Sequence, residues 1–408
     1  MLMRSRSLLR AGLVVAVAIL TLGACSSGGN QRVKLAPLGP GLSGVGVLPT
    51  AASAWPEAGY DARYSSATTA TGPRTGAVRW KRDLGGDATP GPVIEVDGSI
   101  LAATNSGVLH DLDPMTGTDI WTFDGHGSYG TDLSTSAAVL PGGTLLWPGP
   151  DDTLYALTQT GRLLWRMKFA AQVLSPAIAG ANRVYVADLS GDVAAIEVTK
   201  TGHRMVWRLS LGGTDYASPT IGQDGTVYTA SDNHLIAVRD LGATGAVLWK
   251  FHAKRMVEVS NAVSPDGTVV LGTNHDKQYG IKPDGTVAWS IDIGDNTYTS
   301  SIVRPDRTGW FGDNMGRMRI IDTRTGKVRA TIAPIGLGKE KVWTTVVADA
   351  HDNAYWGTTA GNVYGYTSSG GHLFSLATGS SIDSYPALGR DGTLYVATTS
   401  GTLYAIGS

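Results

Sequence analysis

A tryptophan recurs along this chain at a nearly constant interval. Six of these residues follow one another at differences of 41, 44, 42, 42 and 40 positions. A period in the low forties is typical of one supersecondary unit copied many times, and such a chain folds by stacking its units side by side. The six periodic residues are Trp80, Trp121, Trp165, Trp207, Trp249 and Trp289.

The repeated unit is clearest in residues 218–249. Four short runs rich in β-branched and aromatic residues are separated there by turn sequences such as Asp224-Gly225 and Thr244-Gly245. Runs of this length, bounded by such pairs, predict β-strands joined as hairpins. Because four antiparallel strands repeated around an axis make a propeller blade, the sequence predicts an all-β propeller.

Counting the copies predicts eight blades. Five blades end in the last five periodic tryptophans, and two more carry Ala330 and Phe374 in the tryptophan position. The last copy, around residues 383–407, holds only three strands, whereas residues 75–80 have the pattern of a fourth strand. We therefore expect an eight-bladed β-propeller of four-stranded antiparallel blades, with the last blade closed by an N-terminal strand.

The six periodic tryptophans are predicted to have a structural docking role. Each is expected to pack between neighbouring blades, over the glycine of a Thr-Gly turn. Buried aromatic side chains mainly supply packing area, so we assign these residues to the core and not to a ligand site.

The N-terminus has the features of a bacterial lipoprotein signal. Three arginines precede or adjoin an apolar stretch of twelve residues, 11–22, which is too short to span a bilayer comfortably. The sequence Leu22-Gly23-Ala24-Cys25 ends this stretch and resembles a lipobox, in which the cysteine after the cleavage site carries the lipid. We therefore predict that Cys25 is lipidated.

These features divide the chain into three parts. Residues after Cys25 are rich in Gly, Pro, Ser and Ala, which is typical of a flexible tether. Cys25 is also the only cysteine, so no intramolecular disulfide is available and stability has to come from packing. The expected boundaries are 1–24 for the signal peptide, 25–54 for the lipidated cysteine and tether, and 55–408 for the propeller.

Composition argues against a nucleic-acid-binding protein. Charged residues make up 16% of the chain, and the formal net charge is −1 before the three arginines of the signal are removed. Nucleic-acid-binding domains usually show a basic patch or a high pI. The expected partners are instead envelope proteins, with the membrane reached through the lipid anchor, and the propeller is expected to be monomeric.

Several short segments of the sequence resemble the repeats of a known family. Residues 112–121 (LDPMTGTDIW) look like the tryptophan-docking motif of pyrroloquinoline-quinone-type (PQQ-like) propeller repeats, and residues 321–327 (IDTRTGK) and 154–157 (LYAL) are similar to parts of it. Residues 55–65 are similar to the stretch that often precedes the first blade. The resemblance covers roughly 55–408, and an eight-bladed lipoprotein of this size looks most like the outer-membrane assembly factor B (BamB) group.

The resemblance implies a non-enzymatic scaffold in the cell envelope, with a role in inserting β-barrel proteins if the host has an outer membrane. Quinoprotein alcohol dehydrogenases resemble the chain in its repeats too, but they typically carry an adjacent cysteine pair, and this chain has one cysteine. We therefore expect no cofactor and no catalytic residue. The alternatives are a PQQ-dependent sugar or alcohol dehydrogenase and a glycan or small-ligand sensor.

Loop lengths predict which face of the propeller is functional. The turns between first and second strands and between third and fourth strands are short in many blades. The opposite face carries the connections between blades and the second-to-third turns, which vary more, as in 125–130, 252–256 and 334–339. Because binding sites usually lie in variable loops on a rigid scaffold, we expect that face to be the functional one.

One column of residues is predicted to line the channel mouth on that face. It lies two residues before Ser218 and its equivalents, and five consecutive blades supply an aromatic or acidic member. Two interpretations stay open: these five hold a ligand, a peptide or a sugar, or they fill the channel with water and hydrogen bonds. In blade order the column is Thr89, Ser134, Val173, Tyr216, Glu258, Tyr298, Trp343 and Asp383.

No metal site is predicted. Asp and Asn occur in three second-to-third turns, at Asp232-Asn233, Asn274 and Asp313-Asn314, but hairpin turns favour these residues and calcium requires a denser set of oxygen ligands. The eight histidines show no spacing typical of zinc, and no Gly-x-Ser-x-Gly motif of a hydrolase is evident.

Acylation of Cys25 can be checked by mass spectrometry of the protein purified from the membranes of its own host. The mature chain should begin at Cys25 and carry the mass of a diacylglycerol thioether, because the thiol is the acceptor. The control variant Cys25→Ser lacks the thiol and should be recovered without lipid and without membrane attachment. An unmodified Cys25 in the native protein would contradict the assignment.

Overall fold

The fold is made of strands in the part of the chain that the structure describes. This computed structural model describes residues 55–66, 68–87, 90–129, 135–199, 201–257, 259–274, 277–294, 297–334 and 340–407. Its regular elements are 32 β-strands, and none of the described residues forms a helix long and apolar enough to cross a membrane. The predicted signal peptide, Cys25 and the tether lie outside the described residues.

The strands form eight sheets of four antiparallel strands each. Within each sheet the spatial order follows the chain order, apart from the sheet that contains the N-terminal strand. First strands of neighbouring sheets contact one another, so each sheet has its first strand next to the central axis and its fourth strand outside. The prediction of an all-β, eight-bladed propeller is confirmed.

The first half of the ring begins with strand β1 (Val78–Asp83), which precedes blade 1. Blade 1 contains β2 (Val93–Ile94), β3 (Ile100–Ala103), β4 (Val108–Leu112) and β5 (Asp119–Asp124). Blade 2 contains β6 (Ala138–Val139), β7 (Leu145–Pro148), β8 (Thr153–Leu157) and β9 (Leu163–Lys168). Blade 3 contains β10 (Ala177–Ile178), β11 (Arg183–Asp188), β12 (Asp192–Val198) and β13 (His203–Ser210). Blade 4 contains β14 (Thr220–Ile221), β15 (Thr226–Ser231), β16 (His234–Asp240) and β17 (Gly245–His252).

The second half of the ring repeats this arrangement. Blade 5 contains β18 (Ala262–Val263), β19 (Val269–Gly272), β20 (Lys277–Ile281) and β21 (Val287–Asp292). Blade 6 contains β22 (Ile302–Val303), β23 (Thr308–Gly312), β24 (Met318–Asp322) and β25 (Val328–Ile332). Blade 7 contains β26 (Val347–Ala348), β27 (Ala354–Gly357), β28 (Asn362–Tyr366) and β29 (His372–Ala377). Blade 8 contains β30 (Ala387–Leu388), β31 (Leu394–Ala397), β32 (Thr402–Ile406) and β1.

Aspartates set the turns that follow the first strands. The Thr226 amide donates to Asp224 Oδ1 at 3.1 Å and the Thr226 hydroxyl donates to Asp224 Oδ2 at 2.8 Å. Such a side chain holds the turn by accepting the backbone N–H two residues ahead. The same amide bond joins Asp97 to Ser99, Asp266 to Thr268, Asp306 to Thr308 and Asp391 to Thr393.

The ring closes through a pairing of its two ends. Strand β1 is antiparallel to β32, with Trp80 opposite Ala405 and Asp83 opposite Thr402. The Arg79 guanidinium adds an ion pair across the same sheet, with Nη1 2.7 Å from Asp391 Oδ2. The N-terminal strand is thus the fourth strand of blade 8, as the sequence predicts.

The periodic tryptophans join each blade to the next. Trp80 in blade 8 packs over Gly117 in blade 1 and donates its Nε1–H to the Pro114 carbonyl at 2.9 Å. Gly117 has a φ of +70°, and a Cβ added there would lie 2.5 Å from the indole, so this turn requires glycine. The same contact joins Trp121 to Gly161, Trp207 to Gly245, Trp249 to Gly285 and Trp289 to Gly326, and Phe374 packs in the same way over Gly76.

Blade 2 departs from this pattern. Trp165 stacks against the His203 imidazole of blade 3, with ring centroids 4.3 Å apart. A Cβ added to Gly202, the turn glycine at this position, would meet the Thr199 side chain at 3.9 Å and not the indole. Trp165 therefore docks on an aromatic ring instead of a glycine, and it remains buried.

A segment preceding β1 runs around the central channel. We call residues 55–66 the strap. It contacts blades 1 to 7 in order. In blades 1 to 6, the second residue of the short first strand donates its backbone N–H to the strap. These bonds are Ile94 to the Trp55 carbonyl (2.9 Å), Val139 to Pro56 (2.7 Å), Ile178 to the Glu57 carboxyl (2.9 Å), Ile221 to Ala62 (2.7 Å), Val263 to Arg63 (3.0 Å) and Val303 to Tyr64 (3.0 Å), and the Ser66 hydroxyl donates to the Val346 carbonyl (3.3 Å).

The strap closes one end of the channel. Its partners in blades 1 to 6 are the last residues of the first strands, immediately before the first-to-second turns. We call the face with these turns and the third-to-fourth turns the turn face, and the opposite face the loop face. The strap fills the channel at the turn face, where Trp55 and Tyr64 are 1% and 2% exposed. The strap therefore blocks the channel at the turn face.

Loss of a docked indole should destabilise the ring measurably. Trp249 is buried and its Nε1–H donates to the Pro283 carbonyl at 2.8 Å. Trp249→Ala should cost about 3–5 kcal/mol, the range for large-to-small core substitutions, and this is measurable by urea unfolding. Trp121→Ala is the comparison, because Trp121 is only half-buried and should cost less. Equal losses at both positions would contradict the packing argument.

Candidate functional site at the channel mouth

The predicted column of mouth residues is partly described by the structure. Val173 is buried, Tyr298, Trp343 and Asp383 are half-buried, and Tyr216 is 37% exposed. These residues precede the first strands of their blades, so they lie toward the loop face. Three members of the column, Thr89, Ser134 and Glu258, lie outside the described residues.

Two aromatic members of the column form a pair. The Tyr298 and Trp343 rings lie edge to face, with centroids 5.6 Å apart and an interplanar angle of 65°. Trp343 donates its Nε1–H to Asn314 Oδ1 at 2.9 Å, and the Lys341 ammonium lies 5.3 Å from the Trp343 ring centroid. This arrangement fixes the indole and places a cation over its face.

Two further described members, Tyr216 and Asp383, lie in different blades. Tyr216 belongs to blade 4 and Asp383 to blade 8, where the Ser381 hydroxyl donates to Asp383 Oδ1 at 2.7 Å. The structure therefore brings Tyr298 and Trp343 into contact, whereas Tyr216 and Asp383 mark separate parts of the mouth. An aromatic pair, a lone tyrosine and a carboxylate offer apolar area and hydrogen-bonding groups around one opening.

A ring of small polar residues lies below the mouth. The Ser218 amide donates to Ser260 Oγ at 3.1 Å, and the Ser260 amide donates to Ser300 Oγ at 3.1 Å. The Ser136 amide donates to Ser175 Oγ at 2.8 Å in the same way. Each serine thus links the first strands of two neighbouring blades, and the channel wall at this level is polar and uncharged.

Two tyrosines form the floor of the channel. The Tyr385 hydroxyl lies 3.3 Å from Ser300 Oγ, so its side chain extends from blade 8 across to blade 6. The Tyr64 ring of the strap lies beneath, 6.5 Å from the Tyr385 ring. Burial raises the pKa of both hydroxyls, so the floor stays neutral at ordinary pH. We call the mouth residues, the serine ring and this floor together the cup, which lies on the loop-face side of the strap.

Two buried carboxyls adjoin this cup. Asp215, next to Tyr216, is 1% exposed and accepts hydrogen bonds from the Ala217 amide at 2.9 Å and from the Thr229 hydroxyl. Burial raises the pKa of Asp215 to about 8, against the opposite effect of these two bonds. Burial likewise raises the pKa of Glu57 in the strap well above its ordinary value.

Sequence reasoning missed Asp215 and the course of the strap. The repeat alignment holds a signal for Asp215, because the equivalent positions carry Gln172, Thr297, Val342 and Ile382, and none of these is ionisable. Residues 55–65 resemble the segment that precedes the first blade, but their course around the channel has no such signal, since the strap accepts hydrogen bonds mainly through backbone carbonyls, which every sequence provides.

The Asp and Asn turns on the loop face hold their own loops. Asp232 accepts the Thr214 amide at 3.0 Å, and Asp313 pairs with Arg317 and Arg319 at 2.7 and 3.2 Å. Among the described residues, no group of three or more His, Cys, Asp or Glu side chains is placed to hold a metal ion.

The sequence matches known proteins. A family model described as outer membrane protein assembly factor BamB matches residues 65–136, 105–205 and 150–371. The chain is 23% identical over 297 residues to outer membrane protein assembly factor BamB of Yersinia pestis, covering 72% of this chain and 64% of that protein. It is 32% identical over 148 residues to quinohemoprotein alcohol dehydrogenase of Comamonas testosteroni, covering 32% of this chain and 20% of that protein. The chain therefore spans less than two thirds of the length of both relatives.

The fold also matches solved structures. The quinohemoprotein alcohol dehydrogenase of Comamonas testosteroni superimposes with a TM-score of 0.70 at 13% identity, covering 90% of this chain and 84% of that one. BamB of Moraxella catarrhalis gives 0.62 at 16% identity, covering 81% and 97%. Sqt1 of Saccharomyces cerevisiae gives 0.69 at 14% identity, covering 83% and 99%. At these identities the likeness shows the fold alone, because this fold hosts many functions.

The buried carboxyl of Asp215 should make stability depend on pH. Its pKa is about 8 in the folded chain and about 3.9 when unfolded. The folded state therefore holds an extra proton between these values, and the free energy of unfolding should fall as pH rises, by up to about 1.4 kcal/mol per pH unit. Asp215→Asn cannot ionise and should gain stability relative to the wild type between pH 5 and pH 8.

Urea unfolding of both proteins across this pH range measures the difference. Asp224→Asn, which removes an exposed carboxyl of the same blade, is the matched control. A stability difference between Asp215→Asn and the wild type that stays constant with pH would show that Asp215 does not titrate as described.

Proposed function

The chain belongs to the family described as outer membrane protein assembly factor BamB, and from this premise we propose that it is a lipid-anchored, non-catalytic scaffold that binds other proteins of the cell envelope. In a host with an outer membrane, the partners would be components that assemble β-barrel proteins. In a host with one membrane, the chain would act as an adaptor on the outer leaflet of that membrane.

The cup on the loop face is the observation that carries this proposal. Its floor is closed by Tyr385 and the strap, so its accessible groups are those at the mouth. Tyr298 and Trp343 form a fixed aromatic pair there, and Tyr216 is exposed. Aromatic side chains held rigidly on a rim are typical of the residues that dominate binding between proteins.

The position of the strap supports the proposed anchoring. Trp55 enters the channel at the turn face, so a tether attached to it would connect the lipid to that face. A tether over residues 25–54 would have a typical reach of roughly 30 Å. The loop face, on the opposite side, would then stay free for a partner.

A quinone-dependent dehydrogenase is the second candidate, and the similarity to a quinohemoprotein alcohol dehydrogenase favours it. Pyrroloquinoline quinone carries three carboxylates, which need positive groups nearby. The described members of the mouth column and of the serine ring below it include no Arg or Lys, and the charged member is Asp383. The Lys341 ammonium, which lies over the Trp343 ring, is a single positive charge against three carboxylates. These residues do not fit the cofactor. Dye reduction with alcohols or sugars after addition of the quinone and calcium tests this directly, and turnover would overturn the non-catalytic proposal.

Photo-crosslinking in the native membrane tests the scaffold proposal. A photoreactive amino acid at position 216 or 343 should capture an envelope protein, because both positions lie at the mouth. The same amino acid at position 324, an exposed turn-face position, is the control and should capture much less. Identification of the captured protein by mass spectrometry names the partner.

Substitution of an aromatic residue gives a second measurement. In the chain that carries the photoreactive amino acid at position 216, Trp343→Ala should reduce partner capture at least tenfold while leaving the thermal unfolding midpoint close to that of the parent chain. Equal capture at positions 216 and 324, or full capture by the folded Trp343→Ala variant, would refute a role for the cup.

A further inference from the structure

Two buried acidic side chains stand out at the interface between blades 1 and 2. Glu95 and Asp111 are 1% and 2% exposed. They lie on the side of blade 1 that packs against blade 2 through an apolar cluster including Leu101 and Val139. Acidic residues are almost never fully buried unless they are paired, so this pair needs an explanation.

Blade 7 also has a carboxyl at the position of Glu95, and there the carboxyl has hydrogen-bond donors. Strand pairing makes Asp349 the equivalent of Glu95 and Tyr355 the equivalent of Leu101. Asp349 accepts bonds from the Gly72 amide and the Asn353 side chain at 2.9 Å each and from the Tyr355 hydroxyl at 3.1 Å. Burial opposes ionisation of Asp349, but these bonds keep its pKa below the ordinary value.

Blade 1 lacks the tyrosine that would bond to Glu95. Leu101 occupies the tyrosine position and has no hydroxyl to donate. Neither carboxyl oxygen of Glu95 makes a hydrogen bond, and the buried Ser99 hydroxyl makes none either. The acid is therefore present without the donors that accompany it in blade 7.

Asp111 is a second departure from the repeat. It lies opposite Trp121 in the sheet, where the other blades place a small or apolar residue opposite the docked side chain. Its Oδ1 makes no hydrogen bond. The equivalent residues are Ala156, Ala195, Ala237, Gly280, Ile320, Gly365 and Ala405.

One of these acids, Asp111, lines an open cavity on the turn face. The cavity has a volume of about 650 Å³, and the exposed carboxylate of Asp97 also lines it. Val96 and Ile120 on its walls are 40% and 55% exposed, and Trp121 is more exposed than the other five docked tryptophans. The polar groups that blade 2 contributes are Gln159 and Thr160, which are uncharged.

We propose that this cavity binds the side chain of an arginine or lysine carried by a partner protein. The cationic head would meet the carboxylates of Asp111 and Asp97, which both line the cavity, and an arginine would pair with both at once. The buried carboxyl of Glu95, which interacts electrostatically with Asp111, would lie behind this lining. The aliphatic stem would lie against Val96 and Ile120, and the indole of Trp121 offers a face to the cation. Only the identity of the partner rests on the proposed scaffold function.

Proton release gives this binding a distinctive signature. Burial and the charge of Asp111 raise the pKa of Glu95 to about 8, and burial raises that of Asp111 to about 7, with Asp97 in the same turn adding to both. The polar side chain of Gln159 lowers the pKa of Glu95, and that of Ser99 lowers the pKa of Asp111, but these effects are smaller than that of burial. The pair is therefore partly protonated at pH 7, and a bound cation should favour ionisation and displace protons.

Titration calorimetry of the full chain with acetyl-arginine amide tests the proposal. Saturable binding is expected at pH 7, with a heat that changes with the ionisation enthalpy of the buffer because protons are released. Acetyl-citrulline amide, the neutral isostere, should bind at least tenfold more weakly. Equal binding of the two, or no binding of the arginine compound, would overturn the proposal.

Two variants assign the binding to the cavity. Asp111→Ala restores the residue that four other blades carry, so it should fold with an unfolding midpoint no lower than that of the wild type and bind at least tenfold more weakly. Asp266→Asn, which alters the equivalent turn of blade 5, is the control and should bind normally. Unchanged binding by a folded Asp111→Ala would overturn the site. Arginine binding without crosslinks at the loop face would support the cavity proposal and reject the scaffold proposal. Crosslinks at the loop face without arginine binding would support the scaffold proposal and reject the cavity proposal.

Discussion

Docking of one aromatic side chain onto the next blade is the interaction on which the ring depends. The fourth strand of each blade is half open to solvent, and in blades 2, 5 and 7 its burial alternates along the strand around one buried aromatic residue. A single blade cannot bury that residue by itself, because the surface covering it belongs to the following blade. Stability is therefore a property of neighbouring pairs, and it becomes complete only when the last pair has formed.

The two faces of the propeller have different tasks. At the turn face, the strap accepts backbone N–H groups of the first strands that would otherwise point into the channel without a partner. At the loop face, the first strands follow longer connections, and blades 4, 6 and 7 place aromatic residues at the channel mouth. Because the strap closes the channel at the turn face, a ligand or partner that contacts the channel would have to do so from the loop face.

Sequence periodicity was sufficient for the architecture because the unit is copied. The spacing of the tryptophans, the Thr-Gly turns and the unpaired pattern at 75–80 each predicted a contact that the structure contains. The exception at Trp165 follows from a local change, since the turn of blade 3 offers His203 for stacking. The repeat therefore predicts the position of each docked side chain, but it does not predict its contact where the turn of the next blade has a different sequence.

The details of the candidate sites were less accessible. Proximity of Tyr298 and Trp343 follows from their being in adjacent blades, whereas the hydrogen bond from Trp343 to Asn314 depends on a loop whose course no periodicity sets. Asp111 breaks the pattern of small or apolar residues opposite the docked side chain, and this exception is visible in an alignment of the repeats. Its meaning depends on burial and on missing donors, which only the coordinates reveal.

The closure of blade 8 has a consequence for biogenesis. Arg79 and Asp391, which pair across the seam, are 312 positions apart. In a chain that is synthesised from its N-terminus, strand β1 emerges before the hairpin of β31 and β32 that it pairs beside, so both of its edges are unpaired until that hairpin forms. During that interval the nascent propeller depends on whatever shields an unpaired strand edge from other chains.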